Sequence, residues 1–131
     1  MIVIDSSLLV EALTGDDGRA HRARILLTED PVWHAPEHIA VEVTSAIRGR
    51  LLGKKVSLER AEFALATLRE MPILRAPWSQ VADRAWALRE NMTPYDAAFI
   101  ALAEQLDCPL VTTDRKLVNC PVRRCEVRVV E

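Results

Sequence analysis

The chain has 131 residues, which suits one domain of roughly 100–200 residues. Half of them are hydrophobic and 27% are charged, so the chain is not disordered and needs no disulfide or metal staple to hold a core. The formal charge of −2, from 17 basic and 19 acidic side chains, excludes a bulk positive field that would draw nucleic acid or anionic lipid.

In chain order, Met1 to Ile4 is a short continuous apolar run, the pattern of a strand buried on both faces. Ser6 or Ser7 is expected to cap a helix carrying Leu8, Leu9, Ala12 and Leu13, stopped by Gly15 and followed by a turn at Asp16-Asp17-Gly18. A second helix is expected over about Arg19 to Leu27, then a strand from Pro31 to Ala35. A long helix from near Pro36 to Leu52 shows an apolar stripe of Ile39, Val43, Ala46 and Ile47 and ends at Gly53. Ser57 caps the next, whose inner face is Ala61, Ala64, Leu65 and Leu68. A strand at Ile73 to Ala76 leads to a helix capped by Ser79 and running to about Glu90. Thr93-Pro94-Tyr95-Asp96 reads as a helix start, with a threonine cap, proline in the first turn and an acid three residues past the cap; that helix runs to Leu106. Strands at Leu110 to Thr113 and Val127 to Val130 complete an α/β layer fold with a mainly parallel sheet.

The longest apolar run, Ala97 to Ala103, is far short of the about 20 residues of a membrane span. No basic residue precedes the first apolar stretch, and Asp5 follows it, which argues against a signal peptide. Cys108, Cys120 and Cys125 are odd in number and read as free thiols in a reducing compartment. The expectation is one cytoplasmic domain over residues 1–131 with no membrane partner.

Four acids stand out by position. Asp5 follows the first strand and Asp114 the Thr112-Thr113 strand, so both fall at carboxyl ends of parallel strands, where such sheets bind ligands. Asp96 sits at a helix N-terminus, and Glu42 on the margin of an apolar stripe. Singly, each has an ordinary account: Asp96 completes a capping box with Thr93, Asp5 and Asp114 are solvated turn residues, and Glu42 is a surface acid. Brought together, four carboxylates repel one another and resist ionisation unless a cation joins them. Hard oxygen ligands without histidine or cysteine select Mg²⁺ or Mn²⁺ over zinc, ions that can activate a water and stabilise the leaving oxygen of a phosphodiester.

Ile2 to Ser7 reads Ile-Val-Ile-Asp-Ser-Ser, and Thr93 to Glu104 reads Thr-Pro-Tyr-Asp-Ala-Ala-Phe-Ile-Ala-Leu-Ala-Glu. Pro109 to Leu117 reads Pro-Leu-Val-Thr-Thr-Asp-Arg-Lys-Leu, and Glu42 lies in an Ala-Val-Glu-Val-Thr helix. These segments resemble PIN-domain ribonucleases of the VapC toxin type, over essentially the whole chain and most specifically in the C-terminal block. The resemblance implies a PIN-like, doubly wound α/β/α sandwich and Mg²⁺- or Mn²⁺-dependent cleavage of RNA. It also implies a homodimer and a small antitoxin partner that blocks the site, as in type II toxin–antitoxin systems. Asp5, Glu42, Asp96 and Asp114 fall on the family's acidic positions; Ser6 and Thr113 match hydroxyl residues beside the first and last acids. The Ser-Ser pair, where many relatives have Thr-Ser or Thr-Asn, is a departure at the first hydroxyl.

Other signals point elsewhere more weakly. His34-Ala35-Pro36-Glu37-His38 matches an inverted zinc-protease pattern, but Pro36 between the histidines is expected to start the helix and leave His34 outside it. Gly49 to Lys55 has the wrong spacing for a phosphate loop and reads as a helix end with Lys54 and Lys55 complementing the dipole. A receiver or phosphatase domain needs paired acids where Asp5 is followed by Ser6 and Ser7. A module that binds RNA or protein without cleaving it is the remaining alternative, although such modules would normally have lost an acid. Arg48, Arg50 and Lys54 near one helix end, and Arg115 and Lys116 beside Asp114, are candidates for holding RNA phosphates if they border the acidic pocket. With six aromatic residues, an exposed stacking platform is not expected, and Trp33, Trp78 and Trp86 are assigned to core or interface.

Overall fold

A computed structural model describes all 131 residues, Met1 to Glu131. Five short strands are separated by helices: β1 (Ile2–Ile4), α1 (Ser6–Thr14), α2 (Gly18–Glu29), β2 (Trp33–Pro36), α3 (Ile39–Leu52), α4 (Leu58–Glu70), β3 (Ile73–Ala76), α5 (Trp78–Ala87), α6 (Pro94–Leu106), β4 (Leu110–Thr112) and β5 (Val127–Val129), with a 3₁₀ turn at Arg115–Asn119. The strands form one sheet in the order β3-β2-β1-β4-β5. Every pairing is parallel, so the carboxyl ends of all strands share one edge.

The centre of the sheet, β1 and β4, is fully buried, whereas the edge strands β3 and β5 each expose an arginine. Ile2, Val3 and Ile4 are fully enclosed, as are Leu110 and Val111 beside them. α1 gathers α2, α3 and α4 against itself, while α5 packs along α6 and α6 covers β1, β2 and β4. Seven consecutive residues of α6, Ala97 to Ala103, are buried. Its alanines let the helix lie close to the strands, and Phe99, Ile100 and Leu102 fill the remaining space.

The chain leaves β1 toward β2 on one side and finds β4 on the other. A crevice therefore opens between the carboxyl ends of β1 and β4, the switch point at which open α/β sheets bind ligands. Val3 pairs with Leu110 and Ile4 with Val111, so the register sets Asp5 beside Thr112.

Several local expectations are corrected. The cap of α1 is Asp5, whose carboxylate accepts from the Leu8 amide, and not Ser6 or Ser7. Asp17 caps α2, and Gly18 is its first residue and not part of a turn. Pro36 ends β2 opposite Ala76 and does not start α3, which begins at Ile39. The Glu37 amide donates toward β3, to the Ala76 carbonyl. Pro36 has no N–H to carry the ladder toward β1 further, and the β1–β2 pairing ends at Val3 and His34. Ser79 does not cap α5; that helix starts at Trp78, whose amide donates to the Glu37 carboxylate across the sheet edge. Ala46 is exposed and not part of the inner stripe of α3. Of the tryptophans, Trp33 packs against the core, whereas Trp78 and Trp86 are exposed. All three cysteines are free.

Candidate active site

Asp5 is at the centre of the crevice and almost wholly buried. Its Oδ1 accepts from the Leu8 amide at 3.0 Å. The Ser7 hydroxyl donates to both carboxylate oxygens, at 2.8 and 3.0 Å, and the Thr112 hydroxyl donates to Oδ2 at 2.5 Å. Thr112 Oγ1 in turn accepts from the Asp114 amide at 2.9 Å, and Ser7 Oγ accepts from the Thr113 amide at 3.1 Å. This lattice ties the β1 and β4 loops together. Every donor in it is neutral. Burial therefore wins over the hydrogen bonds and, with a smaller push from the Asp114 charge, moves the Asp5 carboxyl up to about 6.

The other acids border this centre. Asp114 is half-buried, and its Oδ1 accepts from the Lys116 amide at 2.9 Å, capping the 3₁₀ turn. Asp96 stands in the first turn of α6, where its amide donates to Thr93 Oγ1 at 3.4 Å. That bond caps the helix without using the Asp96 carboxylate. Burial, then the Asp114 charge, raises the Asp96 carboxyl, opposed by the charges of Lys116 and His38. Glu42 accepts from the Ser6 hydroxyl at 2.8 Å and lies 3.4 Å from His38 Nε2. The Asp114 charge thus acts on both Asp5 and Asp96, while Glu42 is reached through Ser6 and His38. None of the four is ion-paired to an arginine.

The hydroxyls on Asp5 are those of Ser7 and Thr112; Ser6 turns to Glu42, and Thr113 enters the network through its amide. The sequence points to Ser7 only as a helix cap, to His38 only within the zinc-protease pattern, and to Thr112 only as a strand residue. Ser7 and Thr112 were hidden beside Ser6 and Thr113, whereas the His38–Glu42 spacing of one helical turn was available as a signal.

The basic candidates divide. Arg50 donates to Glu11 Oε1 at 2.7 Å, at the opposite end of α1 from Asp5. Arg48 borders an outer face of α3 formed by Ala40, Val41, Thr44 and Ser45, and Lys54 takes a left-handed turn beyond the end of α3, at φ 58°. Arg115 pairs with Glu131. Lys116 borders the acids, with its charge felt at Asp96. His34 lies on β2 and His38 precedes α3, so the zinc-protease pattern has no shared helix face.

As the side chains stand, no three histidine, cysteine or acidic groups close around one point for a metal ion. The group is open, not a finished cage. Its donor chemistry nevertheless fits a hard divalent cation: carboxylate oxygens with hydroxyls, no soft ligand, and an Asp5 charge that no cation of the protein offsets.

The parallel sheet, the two helical groups and the acids at the switch point define a PIN-like α/β/α fold. The PIN domain model matches residues 2–121, and the chain belongs to the PIN-domain family. Ribonuclease VapC1 of Mycobacterium tuberculosis is 38% identical over 129 residues, covering 98% of this chain and 96% of that protein. Among solved structures, Mycobacterium tuberculosis VapC20, a toxin that cleaves the sarcin-ricin loop, superposes with a TM-score of 0.67 at 18% identity, covering 94% of this chain and 99% of that one. A toxin–antitoxin complex from Klebsiella pneumoniae gives a TM-score of 0.62 at 17% identity, covering 100% of this chain and 98% of that one. These two likenesses concern the fold.

Proposed function

We propose that the chain is an endoribonuclease dependent on Mg²⁺ or Mn²⁺ that hydrolyses RNA phosphodiesters as the toxin of a type II toxin–antitoxin pair. The observation that carries this reading is the Asp5 carboxylate: buried at the switch point, held by neutral donors only, and within reach of the Asp114 charge. Kinship to a ribonuclease at 38% identity supports the same chemistry. Asp5 and Asp96 are the first choices to hold the ion directly, with Glu42 and Asp114 acting directly or through water. When bound, the divalent cation supplies the positive charge that activates an attacking water and stabilises the departing oxygen.

The chain's own groups do the rest. Ser7, Thr112 and the Leu8 amide fix the Asp5 oxygens in one orientation, so that no rearrangement is needed as charge develops. Lys116 meets the RNA backbone beside the acids, where a lone acidic pocket would repel it. A small antitoxin covering the crevice would silence the enzyme, and the fold neighbour solved as a toxin–antitoxin complex supports such a partner. We further assign a homodimer and the cytoplasm; no helix is long and apolar enough to cross a membrane.

The test is incubation of the pure chain with total RNA in Mg²⁺, in Mn²⁺ and in chelator, followed by mapping of the cut ends. Cuts that appear only with metal and vanish in Asp5→Asn are expected. Equal cutting by Asp5→Asn would overturn the site, and no metal-dependent cutting would favour a module that binds without cleaving.

A further inference from the structure

On the β3 side of the acids lies a cavity of about 270 Å³ lined by Glu37, His38, Trp78, Pro94 and Tyr95. It adjoins the site already described. Tyr95 immediately precedes Asp96 in α6, and His38 Nε2 is 3.4 Å from Glu42. The floor is fixed: the His38 ring meets Tyr95 and Phe99 edge-on, with centroids 5.8 and 5.3 Å away, and its Nε2 lies 3.1 Å from the Tyr95 carbonyl. The walls are open. Trp78 is 44% exposed and Tyr95 63%, which is costly for two large rings unless something covers them.

The chemistry of the lining selects the occupant. Two exposed aromatic rings line the cavity and suit a planar ligand, and the volume lies just below the ~300–1,000 Å³ of pockets for drug-sized ligands, so the fit is to one ring system. No lysine or arginine lines the cavity, and the Glu37 carboxylate repels a phosphate. Glu37 Oε1 accepts from the Trp78 amide at 3.0 Å, which leaves Oε2 to take N–H donors from a ligand edge. An unstacked base of single-stranded RNA has this shape and these donors. We propose that the Trp78–Tyr95 cavity holds one unstacked base of the RNA strand next to the cleaved bond, with its donor-bearing edge against Glu37. The inference rests on the ribonuclease reading and deepens it by locating where sequence is read. Guanine is the preferred base, because its neighbouring ring N–H and amino group can both donate to the lone pairs of Oε2. Uracil is the poorest, because carbonyl oxygens flank its single N–H.

The test uses the full chain in chelator, so that RNA stays uncut, with short labelled RNAs spanning a mapped cut. Each flanking position carries guanine, uracil or an abasic sugar in turn, and Kd is read by fluorescence anisotropy. At one position the abasic sugar is expected to weaken binding roughly fivefold to 150-fold, the range of one base–aromatic stack. Trp78→Ala should weaken the intact RNA by a similar factor and the abasic RNA by less than about twofold, with Tyr95→Ala following the same pattern. Glu37→Gln should shrink the preference for guanine over uracil. Equal weakening of intact and abasic RNA by Trp78→Ala overturns the proposal. So does unchanged RNA binding in Trp78→Ala, the result expected of a face that docks a protein. Those failures leave metal-dependent cutting intact, whereas loss of the ribonuclease reading appears as no cutting at all in the wild-type chain.

Discussion

Two buried acids lie at opposite ends of α1, and each is only 6% exposed. Glu11 is held by two guanidiniums, Arg50 at 2.7 Å and Arg19 at 3.0 Å. Asp5 is held by two hydroxyls and an amide and meets no cation. One helix therefore carries a charge that the protein neutralises and a charge that it leaves unneutralised. Glu11 joins α1 to α2 and α3, and its role ends with the fold. Asp5 destabilises its own surroundings, which is reasonable only where a ligand completes them.

Substitutions at the two ends should have opposite consequences. The largest effect is on cleavage. Asp5→Asn should lower the rate on the order of 10³-fold, since several kcal/mol of transition-state stabilisation depend on the bound cation. Glu11→Gln, by contrast, should cut RNA at close to the wild-type rate while folded. Parallel single-turnover assays on the two variants would expose any mixing of the two roles.

Stability should show the reverse ranking. Glu11→Gln strands two arginines, one of which already has a buried, unpartnered Nε. Both guanidiniums keep some contact with water, which reduces the penalty for breaking a buried pair to about 2–3 kcal/mol. Chemical denaturation of the metal-free proteins would measure it.

A smaller effect sharpens the comparison through pH. The Asp5 carboxyl is raised to about 6 in the folded chain from an ordinary 3.8. Its contribution to stability is therefore complete below about pH 4 and is lost as pH rises through about 6. In chelator, Asp5→Asn should be the more stable protein at pH 7.5, by about 2 kcal/mol once its weaker hydrogen bonds are subtracted. The gap should close toward pH 4, and equal stability at both pH values would show that Asp5 is not strained.

Much of this was legible in the sequence because it depends on short-range pattern. The apolar β1 followed by an acid, the Thr93-Pro94 helix start and the Val111-Thr112 strand all appear where their local chemistry puts them. The alternation of strands and helices points to a mainly parallel sheet, and every pairing is parallel. The misreadings share one cause, that several adjacent residues can do the same local job. Asp5, Ser6 and Ser7 are all competent caps, and the Asp5 carboxylate is the one that takes the Leu8 amide. Pro36 is a good helix starter by itself, yet it is the last residue of β2, where it still pairs with Ala76 of β3. Glu11 carried no signal at all, since its Arg50 partner is 39 residues away. Nor did the Trp78–Tyr95 cavity, whose walls come from two helices and the end of β2.

The central claim is that the uncompensated acids around Asp5 take up a divalent cation. Calorimetric titration of Mn²⁺ into the wild-type chain, Asp5→Asn and Glu11→Gln at pH 7.5 tests it most directly. Matching binding by the wild-type chain and Glu11→Gln is expected, with affinity lowered at least about tenfold in Asp5→Asn. Undiminished Mn²⁺ binding by Asp5→Asn would contradict it.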